Sequence, residues 1–178
     1  MLKLPVKCWL SSANKWVIDM DERELQIIAD TIAREIKATP SDISLNEARI
    51  LSEQVRKRAE EMGVKAVVAI SNRTANPILV ECMDDAFIAS YDIAVSKAFT
   101  VVSLKMSTAV LKPLAQPGGS LYGIQFTNNG KIAIFGGGEP LRNQNGQIVG
   151  GLGVSGGTEE QDTALAAYGK ELFEKGKR

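Results

Sequence analysis

Two overlapping glycine motifs near the C-terminus are the segments that most resemble working chemistry. Gly151-Leu152-Gly153-Val154-Ser155-Gly156 spells GxGxxG, and Gly153-Val154-Ser155-Gly156-Gly157 spells GxSxG. The first pattern sets a pyrophosphate on a helix N-terminus, and the second presents a serine nucleophile on a strand-to-helix turn. Neither has its other half. Only one helical segment follows, so there is no second parallel strand with a terminal acid to hold a ribose. The chain has no histidine, so a serine elbow lacks its base. The same absence removes Cys-His catalysis, HExxH zinc chemistry and haem held by a proximal His. What is left is proton transfer by carboxylates or Lys, covalent chemistry by Ser, Thr, Cys or Lys, or no catalysis. No catalytic constellation and no metal set assembles from the sequence.

The remaining candidates are single residues with two readings each. Asp84, Asp85 and Asp92 crowd the start of a middle helix, where a carboxylate either caps the helix or holds a ligand. Lys97 is a buried salt-bridge partner or a ligand-binding cation. Asp162, in the first turn of the last helix, offsets the helix dipole or joins a site. Arg142 beside a glycine-rich turn is exposed and inert, or meets a carboxylate or phosphate through both arms. Gly137, Gly138, Ser155 and Gly156 allow close backbone approach, and the N–H groups opening the Thr158 helix suit an anion. The ligand-binding candidates are therefore Lys97, Arg142, Gly137, Gly138, Ser155, Gly156 and Asp162. Cys82 on a strand reads as a small core residue.

The elements that must position these residues follow from periodicity. Asp21 with Glu24 forms a capping box. Behind it Leu25, Ile28, Ala29, Ile32 and Ile36 make one apolar stripe, ended at Ala38-Thr39-Pro40. Ser44 with Glu47 opens a second helix, whose buried face is Leu45, Ala48, Leu51, Val55, Ala59 and Met62, with Gly63 just past its end. Val64–Ser71 and Ile78–Met83 read as strands around the turn residues Asn72–Pro77. A helix over 86–105 carries small apolar residues and should pack closely, and a short turn over 107–111 is ended by Pro113. Thirteen of the sixteen glycines lie between Gly118 and Gly157. Leu121–Thr127 and Lys131–Phe135 flank Asn128-Asn129-Gly130 as a hairpin, and a second hairpin turns at Asn145-Gly146. Thr158 with Gln161 starts a last helix with Ala164, Leu165, Tyr168 and Leu172 on its apolar face. Tight hairpins make the sheet antiparallel, and grouped helices make the class α+β.

Composition bounds the rest. The 178 residues are 44% hydrophobic and 24% charged, which is globular. Lys and Arg number 21, as do Asp and Glu, so no global field draws nucleic acid. No apolar run approaches the ~20 residues of a membrane span. The N-terminus has no signal-peptide core, and Cys8 and Cys82 show no CxxC spacing, which together favour the cytoplasm.

The glycine segments also carry a resemblance. Gly136-Gly137-Gly138-Glu139-Pro140-Leu141, Asn145-Gly146-Gln147-Ile148-Val149-Gly150, Gly153-Val154-Ser155-Gly156-Gly157-Thr158 and Glu160-Gln161-Asp162 resemble, in that order, the motifs of the GlcG-like family. Met83-Asp84-Asp85-Ala86 is similar to its Met-Asp-Gly-Ala, and Asp92-Ile93-Ala94 with Lys97-Ala98 to its D-x-A-x-x-K-A. Members include haem-binding sensors and the C-terminal domain of PduO-type corrinoid adenosyltransferases. The resemblance implies a profilin-like sandwich with an antiparallel sheet of about five strands, and oligomers. It implies haem or a corrinoid as cofactor. Two departures bear on that: Asn72-Arg73-Thr74-Ala75-Asn76 stands where the family has Asp-x-Gly-Gly-His, and Asp85 stands at a glycine. With Asn76 at the histidine position, haem binding is expected to be weak or absent.

The sequence therefore predicts an N-terminal extension with an amphipathic helix over 1–43 and a GlcG-like domain over 44–178. The expected function is a non-catalytic, oligomeric module binding a tetrapyrrole or small organic acid. The alternative is an interaction, scaffold or cargo protein of a bacterial microcompartment, docking on a shell or enzyme partner through residues 21–38; that apolar stripe packs on its own domain, on a neighbouring subunit or on such a partner.

Overall fold

The computed structural model describes residues 20–38 and 41–176. Cys8, Trp9, Trp16 and the Thr39-Pro40 helix stop lie outside them. The chain divides into two units, 1–39 and 40–178.

In the first unit α1 (Glu22–Ala38) is one amphipathic helix. Its capping box is present: Glu24 N–H donates to Asp21 Oδ1 at 2.8 Å, and Asp21 N–H donates to Glu24 Oε2 at 3.0 Å. Leu25, Ile28 and Ile32 of the predicted stripe are exposed, as is Ile27.

The second unit is α+β. Its helices are α2 (Leu45–Glu61), α3 (Ser90–Ser103), α4 (Thr108–Ala115) and α5 (Glu159–Gly176), and its strands β1 (Val67–Asn72), β2 (Pro77–Cys82), β3 (Gly138–Arg142) and β4 (Ile148–Ser155). The sheet is antiparallel throughout in the order β2-β1-β4-β3. It has four strands, not about five. The missing pairing is the expected hairpin at Asn129-Gly130. Asn128, Asn129 and Gly130 have φ of 51°, 56° and 75°, and three left-handed residues in a row wind into a tight 3-10 turn. Neither 121–127 nor 131–135 is a strand. Ile132 and Ala133 are buried, but Ala133 N–H donates to Thr100 Oγ1 at 2.9 Å, so a side chain replaces a strand partner. The Asn145-Gly146 turn does join β3 to β4, with Gly146 N–H donating to Asn143 O.

The alternating side chains of β1 feed two cores. Val68 and Ile70 face α2 and α5 with Leu51, Val55, Leu152 and Leu165. Val67 and Ala69 face Ala94 and Ala98 of α3. On the α3 side β4 offers glycines because the helix backbone lies directly on the strand. A Cβ at Gly153 would sit 2.0 Å from Ala94 O, and one at Gly151 would sit 2.5 Å from Ala98 O. The small residues read in α3 have this purpose. The Ser44–Glu47 box caps α2 in both directions.

Three local expectations are corrected. Pro113 lies inside α4; the missing N–H costs one bond in a short helix, and Leu121 N–H folds back to Leu114 O at 2.9 Å to satisfy its C-terminal end. Asp84 and Asp85 do not cap α3, which begins after Ala89 without a side-chain cap. Asp85 instead occupies a turn at φ 64°, and Ala75 another at φ 63°, both at positions where the family pattern has glycine. Cys82 ends an edge strand and is exposed rather than part of the core.

Candidate functional site

The first three residues of the family-like glycine run, Gly136–Gly138, cross between α3, α4 and α5; the outer two are fastened to helices, and Gly137 O accepts the Val154 N–H of β4 at 2.8 Å. Gly136 N–H donates to Glu159 Oε1 at 2.8 Å, and Gly138 N–H donates to Thr108 Oγ1 at 2.9 Å. Gly137 has φ 103°, and a Cβ there would meet Lys97 Nζ at 2.6 Å and Val154 O at 2.7 Å. No other residue type fits that position.

Beneath Gly137 lies a buried ion pair. Lys97 is completely enclosed and Asp162 nearly so. The ammonium donates to Asp162 Oδ2 at 2.8 Å and to Val154 O at 2.7 Å, and it lies 5.0 Å from the centroid of the Phe135 ring. Asp162 Oδ1 accepts Gly157 N–H at 2.9 Å. Burial pushes the Lys97 pKa below its ordinary value near 10.5, against the opposing pull of the Asp162 hydrogen bond and charge. The pair ties α3 to α5 across the end of β4. It leaves the ammonium no room for a ligand beside it.

Of the predicted residues, Lys97, Gly137, Gly138 and Asp162 come together. Ser155 and Gly156 flank them at the end of β4. Ser155 Oγ is 3.2 Å from Ser90 Oγ, and Gly156 lies against the backbone of Lys65 and Ala66. Arg142 stands apart, donating to Gly146 O at 2.8 Å and Lys105 O at 3.4 Å, where it braces the β3–β4 turn. The start of α5 is self-capped: Gly157 N–H goes to Asp162, Thr158 N–H to Gln161 Oε1 and Gln161 N–H to Thr158 Oγ1. Glu159, Glu160 and Asp162 add negative charge in the same turn, so an anion is repelled there.

Sequence reasoning missed Glu159, Thr108 and Phe135. Glu159 also accepts from Lys112 Nζ at 2.6 Å, and that hydrogen bond, with the Gly136 N–H, lowers its pKa. The signal available was length. The stretch between α4 and β3 holds only two 3-10 turns, and irregular segments that long are uncommon unless they bind something. It exposes Tyr122, Phe126 and Phe135, and Lys131 Nζ lies 5.6 Å from the Phe99 centroid. A separate apolar groove of about 380 Å³ lies between α2 and α5, lined by Ile50, Leu51, Leu172 and Phe173 among others. It shares no residue with the Lys97 cluster. Among the described residues no group of His, Cys, Asp and Glu could hold a metal ion. No single helix among them is long and apolar enough to cross a membrane.

A four-stranded antiparallel sheet with helices on both faces, closed by a glycine run over a buried Lys–Asp pair, defines a class of small α+β domain. The chain belongs to the family described as haem degrading protein HbpS-like, whose model matches residues 43–171. It is 42% identical over 131 residues to an uncharacterized 15.0 kDa protein from the dhaT-dhaS intergenic region of Citrobacter freundii, covering 74% of this chain and 92% of that one. It is 34% identical over 157 residues to the corrinoid adenosyltransferase PduO of Salmonella typhimurium, covering 83% of this chain but 46% of the enzyme. It therefore spans about half the length of that relative. Among solved structures, one described as a PduOC:heme complex superposes with a TM-score of 0.70 at 35% identity, covering 73% of this chain and 94% of the other.

Proposed function

We propose that the chain is a non-catalytic, self-associating module that binds a small ligand or cofactor, a tetrapyrrole or a small organic acid, in the cytoplasm. The observation that carries this reading is the likeness to a domain whose structure is described with haem. The donor set here does not fit an axial haem ligand of the usual kind. The chain has no histidine, the Lys97 ammonium is engaged by Asp162 and Val154 O, and the Met83 sulfur accepts Ala66 N–H at 3.3 Å. The exposed aromatic side chains between α4 and β3, Tyr122, Phe126 and Phe135, are the candidates to stack on a flat ligand instead. Absorbance and thermal-shift titrations with haemin, cobalamin and short carboxylic acids test this. The expected result is stabilisation by one of them, with a haemin Kd weaker than ~1 μM, or about −8 kcal/mol, and no sharp six-coordinate Soret band. No response to any of them overturns the binding reading. Tight haemin binding overturns the argument from donors.

A second reading rests on α1. Its exposed Leu25, Ile28 and Ile32 form an apolar face, and an isolated helix of this length is only marginal in water, so it calls for a partner. We propose that residues 21–38 dock on a microcompartment shell or enzyme partner. Deleting residues 1–40 should abolish co-purification with such partners while leaving the melting temperature of the remaining domain within a few degrees. Loss of several kcal/mol of domain stability would sink the docking role.

A further inference from the structure

The polar side of α1 makes its own contacts. Gln26 Nε2 donates to Asp30 Oδ1 at 2.9 Å, and Thr31 Oγ1 donates to Ile27 O at 2.7 Å. The apolar side is different. Leu25, Ile28, Ala29 and Ile32 are exposed. They stand at i, i+3, i+4 and i+7, the anchor spacing of a helix that lies in an apolar groove of another protein. A membrane surface is the poorer match. Beside the stripe the helix exposes Glu22, Glu24 and Asp30 against Arg23, whereas an interfacial helix carries Lys and Arg there.

The lengths of the matches to relatives point to where such a groove belongs. The family model begins at residue 43, and everything from there onward is 136 of the 178 residues, about 76%. The match to the Salmonella typhimurium enzyme takes 83% of this chain, and the match to the PduO of Citrobacter freundii takes 86%. Neither fits within 43–178. The second, over 153 residues, begins no later than residue 26 and so runs through most of α1. The 15.0 kDa relative is different. A match of 131 residues already takes 92% of it, which leaves no room for a helix of 17 residues beside the domain. A segment matching α1 therefore accompanies the domain in enzymes about half of whose length lies outside the match, and not in the protein that is little more than the domain. Just ahead of the domain, that segment lies at the seam with the other half of the enzyme.

We propose that the apolar stripe of α1 docks in a helix-wide apolar groove on the half of a PduO-type enzyme that this chain does not match, carried by a separate polypeptide. The inference rests on the docking reading of α1 and deepens it: of a shell and an enzyme partner, it selects the enzyme. Leu25, Ile28, Ala29 and Ile32 enter the groove, and Gln26, Asp30 and Thr31, already satisfied within the helix, stay in water.

Isothermal titration of the full chain with the purified half of the Salmonella typhimurium enzyme outside the match tests this, with circular dichroism to verify that the half is folded. The expected result is one-to-one binding in the micromolar range. Binding to the intact enzyme should be about tenfold weaker or more, because there its own helix competes at high effective concentration. Ile28→Ala and Ile32→Ala favour the helix but remove an anchor, so each should weaken binding by about 30-fold, the size of a hot-spot loss. Gln26→Ala, on the polar side, should leave binding unchanged. Where the half is insoluble alone, a chimera with that half placed ahead of Met20 decides: protease cleavage at the junction should rise with Ile28→Ala and Ile32→Ala but not with Gln26→Ala. A folded half that does not bind at about 100 μM, equal binding to the intact enzyme, or an Ile28→Ala effect no larger than that of Gln26→Ala overturns the inference. Shell proteins retained by the wild type and lost with Ile28→Ala, while the enzyme half is ignored, overturn it and leave the docking reading standing. Retention of neither overturns both.

Discussion

Lys97→Met should cost about 3–5 kcal/mol of folding free energy, the penalty for removing one partner of a buried ion pair. The variant leaves the enclosed Asp162 carboxylate with the Gly157 N–H and no counter-charge. For a chain of this size that loss corresponds to a fall in melting temperature of roughly 10–20 °C. Adding Asp162→Asn removes the stranded charge while keeping an acceptor for Gly157, so the double variant should recover most of the loss. The pH dependence has a definite sign. Because burial lowers the folded-state pKa of Lys97 below 10.5, the unfolded chain holds more protons between those two values. This group's contribution to stability therefore rises with pH through that window and is lost as pH falls through the folded-state pKa. The rise should disappear in Lys97→Met. Urea denaturation across the alkaline range measures both effects. A single-variant loss below about 1 kcal/mol would show that the pair is not the clasp described.

Gly153→Ala should be at least as damaging. Ordinary overpacking of a core costs about 1–3 kcal/mol because side chains shift. Here the added methyl would lie 2.0 Å from Ala94 O and 2.7 Å from Ala98 N, and neither backbone atom can move without lifting α3 from the sheet. The expected outcome is a loss of ~3 kcal/mol or more, or a chain that keeps its helices but loses near-ultraviolet dichroism. Gly146→Ala is the control. Its φ is 75° but nothing lies within 4 Å of the added Cβ, so only left-handed strain of about 1 kcal/mol is expected. Equal losses from the two substitutions would refute the close-contact argument.

The helices were readable wherever local chemistry decides. The Ser44–Glu47 and Thr158–Gln161 caps announced α2 and α5, and Ala48, Leu51, Val55, Ala59 and Leu165 behind them are buried, but Leu45 and Ala164 of the expected stripes are exposed and Ala166, Gly169 and Phe173 complete the core face of α5. The β1–β2 and β3–β4 turns were readable for the same reason. Asn129-Gly130 was not, because an Asn-Gly pair permits positive φ without specifying what its flanks pair with, and Thr100 on α3 had already claimed the Ala133 N–H. The Lys97–Asp162 pair was beyond any local pattern, since its members lie 65 residues apart. Lys97 read as a salt-bridge partner with no partner named and Asp162 as a dipole-offsetting acid, and only the fold joins them. Arg142 was chosen for its neighbouring glycines, but a side chain beside a tight turn often binds that turn, as this one does.

The placement of β1 beside β4 governs how the chain can be made. Residues 67–72 form one of the two central strands but find their inner partner only at 150–155, and the clasp at Lys97 waits for residue 162. A ribosome releasing this chain exposes α2, the β1–β2 hairpin and α3 well before any of them has a sheet to rest on. Pairings of such long sequence separation place folding on the millisecond-to-second scale rather than the microsecond scale of helical bundles. Until the last helix emerges, the apolar faces of β1 and β2 depend on chaperones or on speed.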